Sequence, residues 1–114
     1  MLLVPPEIES MGLAGVELES LAHSIGDRLR AAGVSVLPAA LRTCGAALGT
    51  DLWRMEVRPG RRRERRRQRI EKNSARLWAL VDESVSRLPS LESHRRVGRE
   101  LIVEILGQLD RLAA

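Results

Sequence analysis

Residues 61–88 read RRRERRRQRIEKNSARLWALVDESVSRL, a stretch without proline or glycine. Most of these residues are good helix formers. A continuous helix over them would be about 42 Å long at 1.5 Å per residue. The first third is almost purely charged. Leu77, Leu80, Val81, Val85 and Leu88 then recur at helical spacing and give the last third an apolar face. Pro89-Ser90 breaks the stretch. A helix of this length sets the fold class, because the rest of the chain has to cover its apolar end.

Working outward, the segment after the break carries Val97, Leu101, Ile102, Ile105, Leu109 and Leu112 on one side and is expected to be helical from about Ser93 to Leu112. Before the arginine run, Leu37, Leu41, Cys44, Leu48, Leu52 and Met55 follow at steps of four, three, four, four and three, close to a heptad seam. That helix is predicted to start at Pro38, since proline suits a first helical turn, and to stop at Pro59-Gly60. Gly45 and Gly49 either weaken it by roughly 1 kcal/mol each or admit a close neighbour. The first helix is predicted from about Glu7 to Ala32, with a possible break near Gly12 or Gly15. Leu18, Leu21, Ala22, Ile25 and Leu29 form its stripe, and Gly33 is its natural C-terminal cap.

The expected fold is therefore all-α, with three to four helices. They form either a small bundle or a helical hairpin completed by dimerisation. Residues 1–58 read as an N-terminal helical pair. Residues 59–114 read as the basic run continuing into a helix-loop-helix hairpin, the whole being one compact domain. Composition agrees: among 114 residues there is no Phe or Tyr, and Trp53 and Trp78 are the only aromatics. The core has to come from aliphatic residues, a palette suited to helices.

The net charge of +4 conceals a sharp pattern. Residues 1–53 carry three Arg against six acids, a balance of −3. Residues 54–76 carry ten Arg and one Lys against three Glu, a balance of +8. Residues 77–114 carry five Arg against six acids, a balance of −1. Basicity is thus confined to one block, as expected of a binding surface rather than a solubility device. Seven guanidinium groups within about 14 Å of helix cannot all find carboxylates on their own helix. A partner with regularly spaced phosphates would relieve the repulsion, since guanidinium binds phosphate bidentately and neutralised phosphates release counterions. Arg61, Arg62, Arg63, Arg65, Arg66, Arg67 and Arg69 are the candidate nucleic-acid contacts. Leu77, Val81, Leu88, Leu101, Ile102, Ile105 and Leu109 are the candidate core or interface. The reading implies a regulatory, non-enzymatic protein that binds DNA, RNA or another polyanion and forms a homo- or hetero-oligomer through its helices. The alternative is a helical assembly subunit or adaptor, in which the run is a targeting signal or contacts an acidic partner.

Other chemistry has little to rest on. His23 and His94 lack flanking acid–histidine patterns, and a single cysteine, Cys44, cannot form an internal disulfide or a cysteine-based zinc site. No phosphate loop, nucleophile elbow or paired-carboxylate motif stands out. No cofactor, metal, catalytic residue or small-molecule substrate is expected. No apolar stretch approaches the roughly 20 residues of a membrane span, and the short Met1-to-Val4 run lacks a charged leader. The expected location is intracellular: nuclear in a eukaryote, cytoplasmic in a bacterium.

In layout, residues 61–112 resemble a basic helix-loop-helix domain. A basic segment runs into an amphipathic helix ending at Leu88-Pro89-Ser90-Leu91. A short loop with Arg95 follows, then a helix patterned Leu101-Ile102, Ile105, Leu109, Leu112. The resemblance implies a dimeric four-helix core and basic helices that fork into the major groove. The family's base-reading glutamate would fall on Ile70, so that motif is absent, and Ser84 takes a position usually apolar. The run also resembles the arginine-rich helices of viral and phage RNA-binding proteins, which implies RNA as a ligand.

Overall fold

The computed structural model describes residues 6–57 and 62–113, and every regular element among them is helical. Helix α1 spans Pro6–Ala31, α2 Pro38–Val57, α3 Arg63–Arg87 and α4 Glu92–Ala113, with one 3-10 turn at Pro89–Leu91 leading into α4. The expected break at Pro59-Gly60 lies outside the described residues, as do Arg61 and the side chain of Leu112.

Each boundary has a local cause. Gly33 takes φ +83°. Around it, Val34 N donates to Leu29 O at 2.8 Å and Gly33 N to Arg30 O at 2.9 Å. This is a Schellman ending, in which two otherwise orphaned carbonyls are satisfied by backbone that turns left-handed. Pro38 opens α2 as its spacing suggested. Leu88, with φ −138°, closes α3 by donating its N–H to Ser84 O at 2.8 Å, and the proline that follows cannot continue the helix.

Consecutive helices run antiparallel. Gly15 meets Gly49, Ala22 meets Gly45 and Gly26 meets Pro38, so rising numbers on α1 face falling numbers on α2. Arg66 and Arg69 on α3 face Arg54 and Asp51 on α2. Asp82 on α3 meets Arg95 on α4, and Leu21 and Ser24 on α1 meet Gly98 and His94 on α4. Each helix packs on its sequence neighbour and α4 returns to α1. The result is an up-and-down four-helix bundle measuring 50 × 23 × 20 Å.

The α1–α2 seam is the tightest. A Cβ built on Gly45 would lie 2.9 Å from the Ala22 Cβ, and one on Gly15 would lie 3.2 Å from the Gly49 Cα. Of the two possibilities for Gly45 and Gly49, close approach is the one realised. Gly15 does not break α1, because α2 rests on it there. The seam of Leu37, Leu41, Cys44, Leu48, Leu52 and Met55 is buried throughout and meets Met11, Leu18, Ala22, Ile25 and Leu29 of α1 in one core.

From α3 and α4, Leu77, Val81, Ile102, Ile105 and Leu109 join that core as buried residues, and Leu88 and Leu101 pack against it half-buried. These candidate interface positions are thus covered within a single chain. Two expectations are corrected. The buried face of α3 begins inside the basic run, with Arg66 and Ile70, rather than in its last third. Val97 is 48% exposed; Gly98 takes the inward position, beneath Leu21. A Cβ there would stand 3.0 Å from the Leu21 Cδ2, so a small residue suits the inward position, and Val97, one residue earlier, points outward. Ser84, polar at a fully buried site, donates its hydroxyl to Leu80 O at 2.7 Å and so carries no unmet bond.

Candidate polyanion interface

The arginine run occupies the first two turns of α3, which lie alongside the last turns of α2. At 3.6 residues per turn, neighbours along a sequence run point in different directions, and the bundle sorts the arginines by direction. Arg66 points inward: it is 6% exposed, and its Nη1 donates to Arg54 O at 3.4 Å. Arg67 is spanned by carboxylates of its own helix, with Glu71 at 3.1 Å and Glu64 at 3.7 Å. Arg63 is half-buried and also engaged. Arg66 and Arg67 thus contribute more to holding α3 than to meeting a ligand.

Arg62, Arg65 and Arg69 face outward on one flank. The same line continues with Lys72 and Arg76, both exposed, giving steps of three, four, three and four. Arg65, Arg69, Lys72 and Arg76 form one stripe on α3, and with Arg62 exposed in the turn just ahead the five cations extend over about 21 Å at 1.5 Å per residue. Among the described side chains a single carboxylate pairs with it: Asp51 of α2, 6% exposed, accepts from Arg69 Nη2 at 3.3 Å. The Arg69 side chain remains 43% exposed in this pair. The pair is thus one-sided, with a buried carboxylate holding a guanidinium that is still partly open to solvent and to a second anion.

Arg62 adopts the left-handed conformation, φ 53° and ψ 32°, just ahead of α3, and has no side-chain cap bond. A residue with a Cβ pays roughly 1–2 kcal/mol for this. Arg66 N donates to Arg62 O at 3.0 Å, which ties the turn to the helix.

Two other titratable groups sit inside the bundle, one of them just behind this flank. Cys44 Sγ, buried, donates to Asn73 O at 3.3 Å and so links α2 to α3. Burial pushes its thiol pKa up, and the nearby positive charge of Arg76 opposes this in part. His94 Nε2 lies 3.2 Å from Ser24 Oγ. Desolvation and then the charge of Arg28 hold its pKa below the ordinary value. Neither is grouped with other donors, and among the described residues no cluster of three or more His, Cys, Asp or Glu could hold a metal ion. No described helix is long and apolar enough to cross a membrane.

Taken together, these features define a four-helix bundle with one cationic flank. Comparisons with protein-family models, characterised proteins and solved structures found no match, so the bundle's own chemistry carries the functional reading. The sequence run included Arg66, which the fold buries, and Arg67, which pairs with carboxylates of its own helix, and left out Lys72 and Arg76. A helical wheel started at Arg62 would have found both.

Proposed function

We propose that this protein is a non-enzymatic nucleic-acid-binding bundle that contacts phosphates through Arg62, Arg65, Arg69, Lys72 and Arg76. The supporting observation is the stripe itself: four exposed cations on one face of α3, with exposed Arg62 in the turn ahead of them, spread along about 21 Å. Along that length each strand of a duplex presents about six phosphates, at one per 3.4 Å of axis.

The way α3 is held bears on the mode of binding. One flank packs on α2 and the core face is buried, so the helix presents a side rather than a free basic arm. The exposed cations on that side recur at a pitch suited to a phosphate backbone. Such contacts position a protein on nucleic acid without reading bases. The reading is therefore of sequence-tolerant binding governed by counterion release.

The test is a titration against duplex DNA, structured RNA and heparin over a range of salt. Neutralising five phosphates on duplex DNA gives a slope of log affinity on log salt of about −4 to −5. Replacing Lys72 and Arg76 with glutamine should reduce the steepness by about two units. Replacing Arg67 should leave it nearly unchanged. An equal effect from all three, or a flat slope, would count against the assignment. Heparin binding without nucleic-acid binding would point to another polyanion.

A further inference from the structure

The polyanion reading leaves the opposite side of α3 unused. Trp78 lies nine positions beyond Arg69, about two and a half turns along the helix, and so faces away from the stripe. There α3 and α4 leave a shallow groove. One part, about 410 Å³, is walled by Ala75, Trp78, Ile102 and Leu106, with Glu71 and Asp110 at its mouth. The next, about 450 Å³, shares Trp78 and Ile102 and adds Val103 and Arg99. Val103 is 62% exposed and stands beside the half-buried Trp78.

The flank of α4 that borders this groove has a particular order, while exposed Glu100, Glu104 and Arg111 lie farther round the helix. Arg96, Arg99, Val103, Leu106 and Asp110 follow at steps of three, four, three and four, a single helical seam. Charge changes sign along it, basic before Val103 and acidic after. Arg96 and Asp110 are each seven positions from Val103. Arg99 is four positions before Val103 and Gly107 four after, so an arginine is matched by a residue with no side chain. A seam that is apolar at its centre and opposite in charge at equal distances is complementary to itself when reversed. Reversal of one surface against an identical one is the geometry of a twofold homodimer.

We infer that this face of α3 and α4 binds a second copy of the chain about a twofold axis beside Val103. In that pairing Val103 meets the partner's Val103, Trp78 is covered, Arg96 faces the partner's Asp110 at both ends, and Gly107 makes room for the partner's Arg99. The inference does not rest on nucleic-acid binding. Both basic stripes stay exposed, on the outer sides of the pair, so mass and nucleic-acid affinity can be measured separately.

The test is the solution mass of the full chain by sedimentation equilibrium, from low micromolar to a few hundred micromolar. Wild type should approach twice 12.7 kDa. Trp78 emission, read in a Trp53→Phe background, should move to the blue as the dimer forms. Val103→Arg should remain a monomer with undiminished helicity, since the side chain it replaces is exposed. Arg96→Asp and Asp110→Arg each bring like charges together at both ends and should weaken the dimer about tenfold or more. Together they restore opposite charges and should restore the dimer. A wild-type mass of 12.7 kDa at all concentrations overturns the inference, as does a dimer that survives Val103→Arg. A wild-type dimer that the paired reversal fails to recover overturns the twofold register.

Discussion

Replacing Gly45 with alanine tests how closely the first two helices lie. On helix propensity alone the change should stabilise α2 by about 1 kcal/mol. The structure reverses that sign. The new Cβ would stand 2.9 Å from the Ala22 Cβ and 3.5 Å from the Glu19 Cα. Carbon atoms rest comfortably at about 3.5–4.0 Å, so α1 and α2 would have to separate by roughly 0.6 Å or more. Neither obstructing atom sits on a flexible tip. Overpacking of this kind costs about 1–3 kcal/mol, which leaves a net loss of about 1 kcal/mol, or roughly 4 °C in Tm for a domain of this size. Gly107→Ala, measured in a Val103→Arg background that keeps the chain monomeric, is the control: within one chain its Cβ would meet only the end of Arg111, at 3.7 Å. It should gain about 0.5–1 kcal/mol. Urea unfolding followed by far-UV circular dichroism reads both. The sharpest form is a double-mutant cycle with Ala22→Gly, which removes the obstructing atom. In that background Gly45→Ala should become stabilising. If it stabilises the native background as much as Gly107→Ala does, the close α1–α2 seam is refuted.

Three further outcomes follow from the same geometry. Asp51→Asn removes the carboxylate that competes for Arg69 and should raise duplex affinity about 2- to 5-fold, in keeping with an ion pair still partly open to solvent; unchanged affinity would remove Arg69 from the binding stripe. Arg62→Gly relieves the left-handed backbone at some cost in unfolded-state entropy. It should stabilise by about 0.5 kcal/mol yet reduce the steepness of the salt slope by about one unit; stability and affinity moving in the same direction would contradict this. The depressed pKa of His94 means the folded state favours the neutral ring. That contribution to stability is present above the ordinary value of 6.5 and is lost as pH falls below it. Urea midpoints at pH 7.5 and 5.5 should therefore differ by less in His94→Gln than in wild type, and equal differences would show that another group is responsible.

Much of the bundle could be read from the chain because some signals are local. Gly33 needs only its own backbone to announce a cap, and Pro38 only its ring to announce a helix start. The α2 seam from Leu37 to Met55 shows in spacing alone. The missed features depend on a neighbour that spacing within one helix cannot name. Val97 fits the apolar stripe of α4, and only the approach of Leu21 makes Gly98 the inward residue. Arg66 looks like any other member of its run until the Arg54 carbonyl is found beside it. A run of like residues carries no period of its own, so the division of the arginines into inward, paired and outward groups arises from tertiary packing.

The Cys44 thiol, bonded to the Asn73 carbonyl between α2 and α3, also serves as a native clock for the breathing of the bundle. A thiol reagent can reach it only when those helices part, so its rate of labelling measures the population of that opened state. No probe need be introduced, since this is the chain's only cysteine. Arg76, which acts on the thiol, belongs to the exposed stripe, so labelling with and without bound nucleic acid would report whether occupancy of the flank tightens the interior.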